Sequence, residues 1–202
     1  MNEAISIITG DIINSRKATP KVWLPYLKEA LGAFGNEPKQ WEIYRGDSFQ
    51  LETTPQQALE AAIYIKATLK QHKGIDVRMA IGLGEKDYDS SKITESNGSA
   101  FIRSGACFES LKKQTLALQS DSEPFDTSLN LMLQLALLNM NTWLPATARI
   151  VKAAMDNPDL NQKELAALLE NSQSNISEAL IRAGFDEVQK MIRYYKTQIE
   201  QL

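Results

Sequence analysis

Trp41-Glu42-Ile43-Tyr44-Arg45-Gly46-Asp47-Ser48-Phe49-Gln50-Leu51-Glu52 holds two strand-like runs, residues 41–45 and 48–52, on either side of Gly46-Asp47. An x-Gly-Asp-x turn between such runs is a hairpin signal, so the hairpin tip carries Asp47. A second glycine–aspartate pair lies upstream in Ile7-Ile8-Thr9-Gly10-Asp11-Ile12-Ile13-Asn14-Ser15, where the apolar run 4–9 reads as a strand punctuated by Gly10. Between the two, Val22, Trp23, Tyr26, Leu27, Ala30, Leu31 and Phe34 recur at helical spacing behind Pro20, which predicts a helix over 20–34. Beyond the hairpin, Ala58, Ala61, Ala62, Ile65 and Leu69 form one stripe of a second helix over 55–73. Val77, Met79 and Ile81 then alternate with Asp76, Arg78 and Ala80 as a strand over 75–83. The order βαββαβ is that of the ferredoxin-like motif, in which the first strand and the hairpin are neighbours in an antiparallel sheet. Asp11 and Asp47 are therefore expected side by side at one sheet edge.

Working outward, residues 87–97 read as a polar loop, 98–113 as a third helix and 115–119 as an edge strand. Ser120-Asp121-Ser122-Glu123-Pro124 reads as the domain boundary. The expected fold is α+β: a ferredoxin-like palm domain over 1–120, then an all-α helix-turn-helix domain over 125–202. Helices over 125–144 and 145–156 are broken at Pro145 and Pro158.

The chain has 202 residues, 43% of them hydrophobic, which is enough for one large domain or a medium one plus a small one. With 22 basic and 25 acidic residues, net charge −3, no global field draws it to nucleic acid or membrane, so any DNA binding must be local. A single cysteine, Cys107, and a single histidine, His72, offer neither a disulfide nor a zinc ligand set. Residues 1–6 lack the basic and apolar regions of a signal peptide, which points to the cytoplasm. The apolar stretch 129–144 is interrupted by Asn130, Gln134, Asn139 and Asn141 and is too short to span a bilayer, so it reads as a buried helix.

Two adjacent carboxylates at a sheet edge suit Mg²⁺, which is commonly held by one or two carboxylates plus phosphate oxygens. Asp11 and Asp47 are the expected metal ligands. Gly10, Ile12, Asn14, Ser15 and Arg16 on the first strand and its loop, with Arg45, Gly46 and Ser48 on the hairpin, are the expected nucleotide-binding residues. Asn14, Ser15, Arg16 and Lys17 would offer amides and positive charge to phosphates. The plainer reading is that both Gly-Asp pairs are turn formers.

Near the C-terminus, residues 161–184 fit a helix-turn-helix. Asn161 can cap the first helix with Glu164 reaching back, Ala166 leaves room for the crossing helix, and Leu165, Leu169, Ile176 and Leu180 bury the facing sides. Ser172 caps the second helix and places Gln173, Ser174, Asn175 and Ser177 on its first turns, where a recognition helix meets base edges. With Lys163 and Arg182 these are the expected DNA-binding residues. Glu170-Asn171 stands where a glycine and an apolar residue are usual, with Asn171 able to take the left-handed conformation. From Pro145 to Leu202 there are seven basic and eight acidic residues, which works against DNA, as does Glu178 on the recognition helix. Over 185–202, Phe185, Val188, Ile192, Tyr195, Ile199 and Leu202 repeat in threes and fours, a short seam expected to make a homodimer.

The Arg45-Gly46-Asp47-Ser48-Phe49 turn, the Asp11-Ile12 strand end, the strand Val77-Arg78-Met79-Ala80-Ile81-Gly82-Leu83-Gly84 and the Gly98-led helix together resemble GGDEF-type and class III nucleotide cyclases. More closely, Thr9-Gly10-Asp11-Ile12, RGDSFQ at 45–50, RMAIGLGE at 78–85, NGSAF at 97–101 and the helix-turn-helix resemble the SatD-like bacterial family over nearly the whole chain. That resemblance implies a palm-like nucleotide-binding domain joined to a DNA-binding module. Cyclases carry an asparagine and an arginine one helical turn apart after the glycine; here Ser99 and Arg103 stand there, and Gly105 replaces an arginine of SatD-like relatives. The expectation is a cytoplasmic regulator that senses a nucleotide. The alternatives are a metal-dependent nucleotidyl cyclase or nucleotidyltransferase with an accessory helix-turn-helix, and a protein-interaction adaptor.

Overall fold

The computed structural model describes residues 4–202. Residues 1–3, where the expected first domain and the stretch inspected for a signal peptide begin, lie outside the described residues. The chain is a mixed α+β structure around one five-stranded sheet of order β2-β3-β1-β4-β5. The strands are β1 (Ala4–Ile13), β2 (Trp41–Tyr44), β3 (Ser48–Thr53), β4 (Asp76–Glu85) and β5 (Leu116–Gln119). β1 is central and antiparallel to both β3 and β4; β2 pairs antiparallel with β3, and β5 alone runs parallel, beside β4.

The period-two alternation of strand side chains sorts the sheet into two faces. Ile8 and Ile12 of β1, Phe49 and Leu51 of β3, and Val77, Met79 and Ile81 of β4 join a core with α1 (Pro20–Gly32) and α2 (Ala58–Lys70). On the other face, Ile5 and Ile7 pack with Ala100, and Ala80 and Ala117 with Cys107, all beneath α3 (Ser99–Ser110). That close packing depends on Gly82, where a Cβ would stand 2.2 Å from the Ala100 carbonyl oxygen and 2.3 Å from the Ser104 nitrogen. Thr9 and Ser104 hydrogen-bond across the same face at 2.9 Å.

The expected first strand ends at Thr9, whereas β1 runs on to Ile13. Gly10-Asp11 is therefore no turn: Gly10 pairs with Phe49 and Met79, and Asp11 with Ser48 and Arg78. Ile12 and Ile13 extend the ladder, and Gly10 is the site where the Phe49 ring lies flush on the strand, 2.5 Å from where a Cβ would be. The hairpin turn has three residues, Arg45, Gly46 and Asp47, because Tyr44 pairs with Ser48.

Residues 125–202 divide between the core under the sheet and a small one of their own. α4 (Glu123–Met140) fastens to β5 through Asn130, whose side chain accepts from the Leu118 amide and donates to its carbonyl, both at 2.9 Å. Phe125, Leu129, Leu133 and Leu137 of α4, Ala148 and Val151 of α5 (Pro145–Asp156), and Val188, Ile192 and Tyr195 of α8 (Phe185–Ile199) belong to the same cluster as α1, α2 and the sheet. α2 is thereby enclosed on all sides, so that even Lys66 is wholly buried. A separate small cluster, Ile150, Leu165, Ala166, Ile176, Ala179 and Leu180, joins α5 to α6 (Gln162–Leu168) and α7 (Gln173–Ala183).

The expected dimer seam on α8 is used within the chain. Val188, Ile192 and Tyr195 are buried there, and the Tyr195 hydroxyl donates to the Pro55 carbonyl at 2.7 Å. Only Leu202 of that seam is exposed, and among the described residues no helix is long and apolar enough to cross a membrane.

Candidate functional sites

Asp11 and Asp47 reach the same end of the sheet, since Asp11 pairs with Ser48, the neighbour of Asp47. Their carboxylates nevertheless have different surroundings. Asp11 shares the parity of Ile5 and Ile7 and so lies on the α3 face, where Arg78 grips both of its oxygens, Nη2 to Oδ2 at 2.6 Å and Nε to Oδ1 at 3.2 Å. Arg78 in turn lies 4.6 Å from the centre of the Phe108 ring on α3. Asp47 instead accepts from the Ser15 hydroxyl at 2.5 Å, and its carbonyl accepts from the Ile12 amide at 3.1 Å.

The two side chains also line different cavities. Asp11 borders one of about 290 Å³ with Arg78, Lys112, Lys113 and Thr115. Asp47 borders one of about 640 Å³ with Ser15, Arg16, Lys17, Thr19, Trp23, Arg45 and Gly46. Among the described residues no group of three His, Cys, Asp or Glu side chains is placed to hold a metal. The expected Mg²⁺ site shared by Asp11 and Asp47 does not fit this geometry: one carboxylate is neutralised bidentately by an arginine, and strand alternation turns it away from the other.

Of the expected nucleotide-binding residues, Ser15, Arg16, Arg45 and Gly46 come together around the larger cleft, with Asp47. Four others have structural work instead. Gly10 accommodates Phe49, Ile12 is buried in the core, Ser48 sits in the ladder, and the Asn14 side chain donates to the Gly74 carbonyl at 3.0 Å. The cleft stands on unusual backbone. Asn14 at φ 64°, Arg45 at φ 52° and Gly46 at φ 89° occupy the left-handed region, which costs a non-glycine residue on the order of 1–3 kcal/mol.

Sequence reading missed Trp23 here, because its helical spacing marks it as core. It is core, at 1% exposed, yet it also lines the cleft, and its indole N–H has no hydrogen-bond acceptor. Arg16, Lys17 and Arg45 form no ion pair among the described residues, so three cations face one aspartate in this cleft. The cyclase-like positions are spent on the fold: Ser99 accepts from the Glu85 amide at 2.9 Å, and Arg103 donates to the Leu83 carbonyl at 2.6 Å.

α6, the turn after it and α7 are closed locally as their residues demand. Asn161 accepts from the Lys163 and Glu164 amides at 3.0 and 3.1 Å while Glu164 accepts from the Asn161 amide at 2.9 Å, a complete capping box. Ser172 caps α7 by accepting from the Asn175 amide at 3.2 Å. The turn differs from expectation in one residue: Glu170, not Asn171, is left-handed, at φ 50°. Its amide donates to Ala167 at 3.2 Å and that of Asn171 to Ala166 at 2.9 Å, the two bonds of a Schellman ending with glutamate in the place glycine usually takes. Asn171 instead uses its side chain, accepting from the Ser172 amide and from the Asn175 side chain.

No protein-family model matches this chain, and no curated protein matches it.

Gln173, Ser174 and Asn175 are exposed on the first turn of α7, and Ser177 is half-buried one turn on. Lys163 and Arg182 are exposed as well, as are Arg149 and Arg193. Lys152 is paired with Glu29 and Asp156, Lys190 with Glu187 and Lys196 with Glu60. Arg149, Lys163, Arg182 and Arg193 remain without an ion pair among the described residues. Four unpaired cations thus stand on a C-terminal segment whose charges nearly cancel in sum.

Proposed function

We propose that this protein is a DNA-binding transcriptional regulator in which a ferredoxin-like palm carries a helix-turn-helix, and that the SatD-like resemblance reflects that arrangement. The observation that carries the proposal is the presentation of α7. Ile176, Ala179 and Leu180 lock one side of the helix onto α5 and α6, while Gln173, Ser174 and Asn175 stand exposed on its capped first turn. Glutamine and asparagine can pair bidentately with adenine in the major groove, and a rigid helix is what makes such pairing selective. Lys163, Arg182 and Arg149 supply phosphate contacts, and three such contacts per copy predict a loss of affinity of roughly 40-fold between about 50 and 200 mM salt.

Fluorescence anisotropy of labelled duplex from the region upstream of the protein's own gene, titrated at about 50 and 200 mM salt, tests this. Binding at low salt that weakens at least tenfold in Gln173→Ala/Arg182→Ala, with an unchanged thermal melt, supports the regulator. Absence of binding at 50 mM salt, or binding indifferent to that variant, removes it.

A second reading attaches to the cleft between the Ser15–Lys17 turn and the β2–β3 hairpin. The unpaired Arg16, Lys17 and Arg45 and the acceptor-less Trp23 N–H favour a phosphate-bearing ligand such as a nucleotide. Here the protein's cations, not a carboxylate pair, neutralise the phosphates, and any Mg²⁺ arrives on the nucleotide with Asp47 as its one nearby carboxylate. Calorimetric titration with ATP and GTP, with and without Mg²⁺, tests it; no heat from either, or heat unaltered by Arg16→Ala/Arg45→Ala, refutes it. The same preparations assayed for turnover test the cyclase or transferase alternative.

A further inference from the structure

α4 leaves a row of large apolar side chains in solvent. While Phe125, Leu129, Leu133 and Leu137 enter the core, Leu131, Leu135 and Leu138 on the opposite side are 57%, 61% and 74% exposed. Spacings of four and three place them on one face. The row continues toward the helix-turn-helix: the Asn139 side chain donates to the Arg182 carbonyl at 2.9 Å, and the residue before Arg182, Ile181, is 75% exposed. Four branched side chains this exposed present on the order of 400 Å², close to the largest apolar patch an ordinary monomer leaves uncovered. That is also about half of the roughly 800 Å² per partner that a stable interface buries.

We infer that this face of α4 is the surface on which a second copy of the chain docks. Charge selects that occupant. From Thr127 to Ala148 the sequence has no charged residue, and Thr127, Ser128 and Gln134 beside the leucines are exposed and neutral. Around a two-fold axis such a face meets itself, so every charge on it would oppose its own copy, and a neutral face avoids that cost. DNA would require several cations on this face, and an amphipathic helix for a lipid surface flanks its apolar side with lysine and arginine; beside the leucines of α4 there are none, and Arg182 next to Ile181 is a single exposed cation at the far end. The polar neighbours fill out the remaining area as the rim of an ordinary interface. The α8 seam cannot serve instead, because Val188, Ile192 and Tyr195 are buried within the chain. Docking through α4 and Ile181 would also fix the spacing of the two α7 helices, each joined to α4 by the Asn139 side chain and to the turn after α4 by the Trp143 side chain.

Sedimentation velocity of the full chain between about 1 and 100 μM tests the inference. Wild type should sediment as a dimer, and Leu135→Gln/Leu138→Gln as a monomer, or with a dimer dissociation constant raised at least tenfold, with the wild-type circular dichroism spectrum retained. Leu138→Cys should form a disulfide-linked dimer under mild oxidation, and Leu168→Cys, also exposed at 55% but elsewhere, should not. A wild type monomeric at 100 μM overturns the proposal, whether the face is then bare or taken by another molecule. So does a dimer that the double substitution leaves intact, or cross-linking no better from residue 138 than from residue 168.

Discussion

Removing the negative charge of Asp76 isolates a cation at the centre of the molecule. Lys66 is wholly buried on α2; its ammonium donates to Asp76 Oδ1 at 2.8 Å and to the Thr115 hydroxyl at 3.3 Å. Lys70 donates to the other Asp76 oxygen at 3.1 Å and to the Asn141 carbonyl at 2.8 Å. Burial holds the Lys66 ammonium below its ordinary pKa, with Asp76 pulling the other way. Asp76→Asn keeps the shape and one acceptor oxygen but leaves the buried lysine charge unbalanced, a loss of about 3 kcal/mol at pH 7, the low end for breaking a buried pair. The cost is bounded, because Lys66 can release its proton. Neutralising an ordinary lysine at pH 7 takes roughly 4–5 kcal/mol, and at pH 9.5 only roughly 1 kcal/mol. The sign follows from proton counting: with the native pKa depressed, the unfolded chain binds more protons, so the variant gains stability as pH rises toward the ordinary lysine value. Urea unfolding of wild type and variant at pH 7 and 9.5, followed by circular dichroism, should show a difference near 3 kcal/mol shrinking to about 1. Lys66→Met, which removes the buried cation itself, should restore most of the loss when combined with Asp76→Asn. A loss below 1 kcal/mol at pH 7, or one equal at both pH values, would refute the reasoning.

Glu170→Gly should raise stability by about 0.5–1 kcal/mol, because glycine relieves the left-handed strain of the Schellman ending at some cost in unfolded-chain entropy; a lower melting temperature contradicts this. Asn161→Ala removes the acceptor of the capping box and should cost about 1 kcal/mol in urea unfolding, whereas Asn161→Asp should be nearly neutral. Gly82→Ala drives a methyl into the α3 backbone and should cost more than 3 kcal/mol or prevent folding; a variant within 1 kcal/mol of wild type would show that α3 can lift from β4 freely. Tyr195→Phe leaves the Pro55 carbonyl without its donor and should cost about 1–2 kcal/mol, read as a lower urea midpoint at unchanged slope.

The local signals in the chain were strong where one element suffices to satisfy them. The hairpin around Gly46, the capping box of Asn161 and Glu164, and the Ser172 cap all occur as their residues indicate, because each is closed by hydrogen bonds within a few positions. Signals requiring knowledge of a distant neighbour were ambiguous. Gly10-Asp11 has the composition of a turn and is strand, because β3 and β4 both pair with it. The 185–202 repeat has the spacing of a dimer seam and packs on its own chain, because α2 and α4 supply the apolar partner first. In the cleft, the cations Arg16 and Arg45 were legible from their loops, but the orphan indole of Trp23 was not. A helical tryptophan shows only its apolar face in a sequence pattern, and whether its N–H finds an acceptor depends on what packs above it.

What the amino-acid sequence determined alone is the order of elements and the face each would bury, since periods of 2 and 3.6 are properties of the backbone and need no partner. The tertiary structure decided which carboxylate meets which cation. Asp11 is adjacent to Asp47 along the sheet edge, yet its side chain projects to the α3 face, where Arg78 stands opposite it in register. Adjacency of strands follows from chain order, but the company of a charged group depends on the parity and register of a strand more than sixty residues away, which only the assembled sheet fixes.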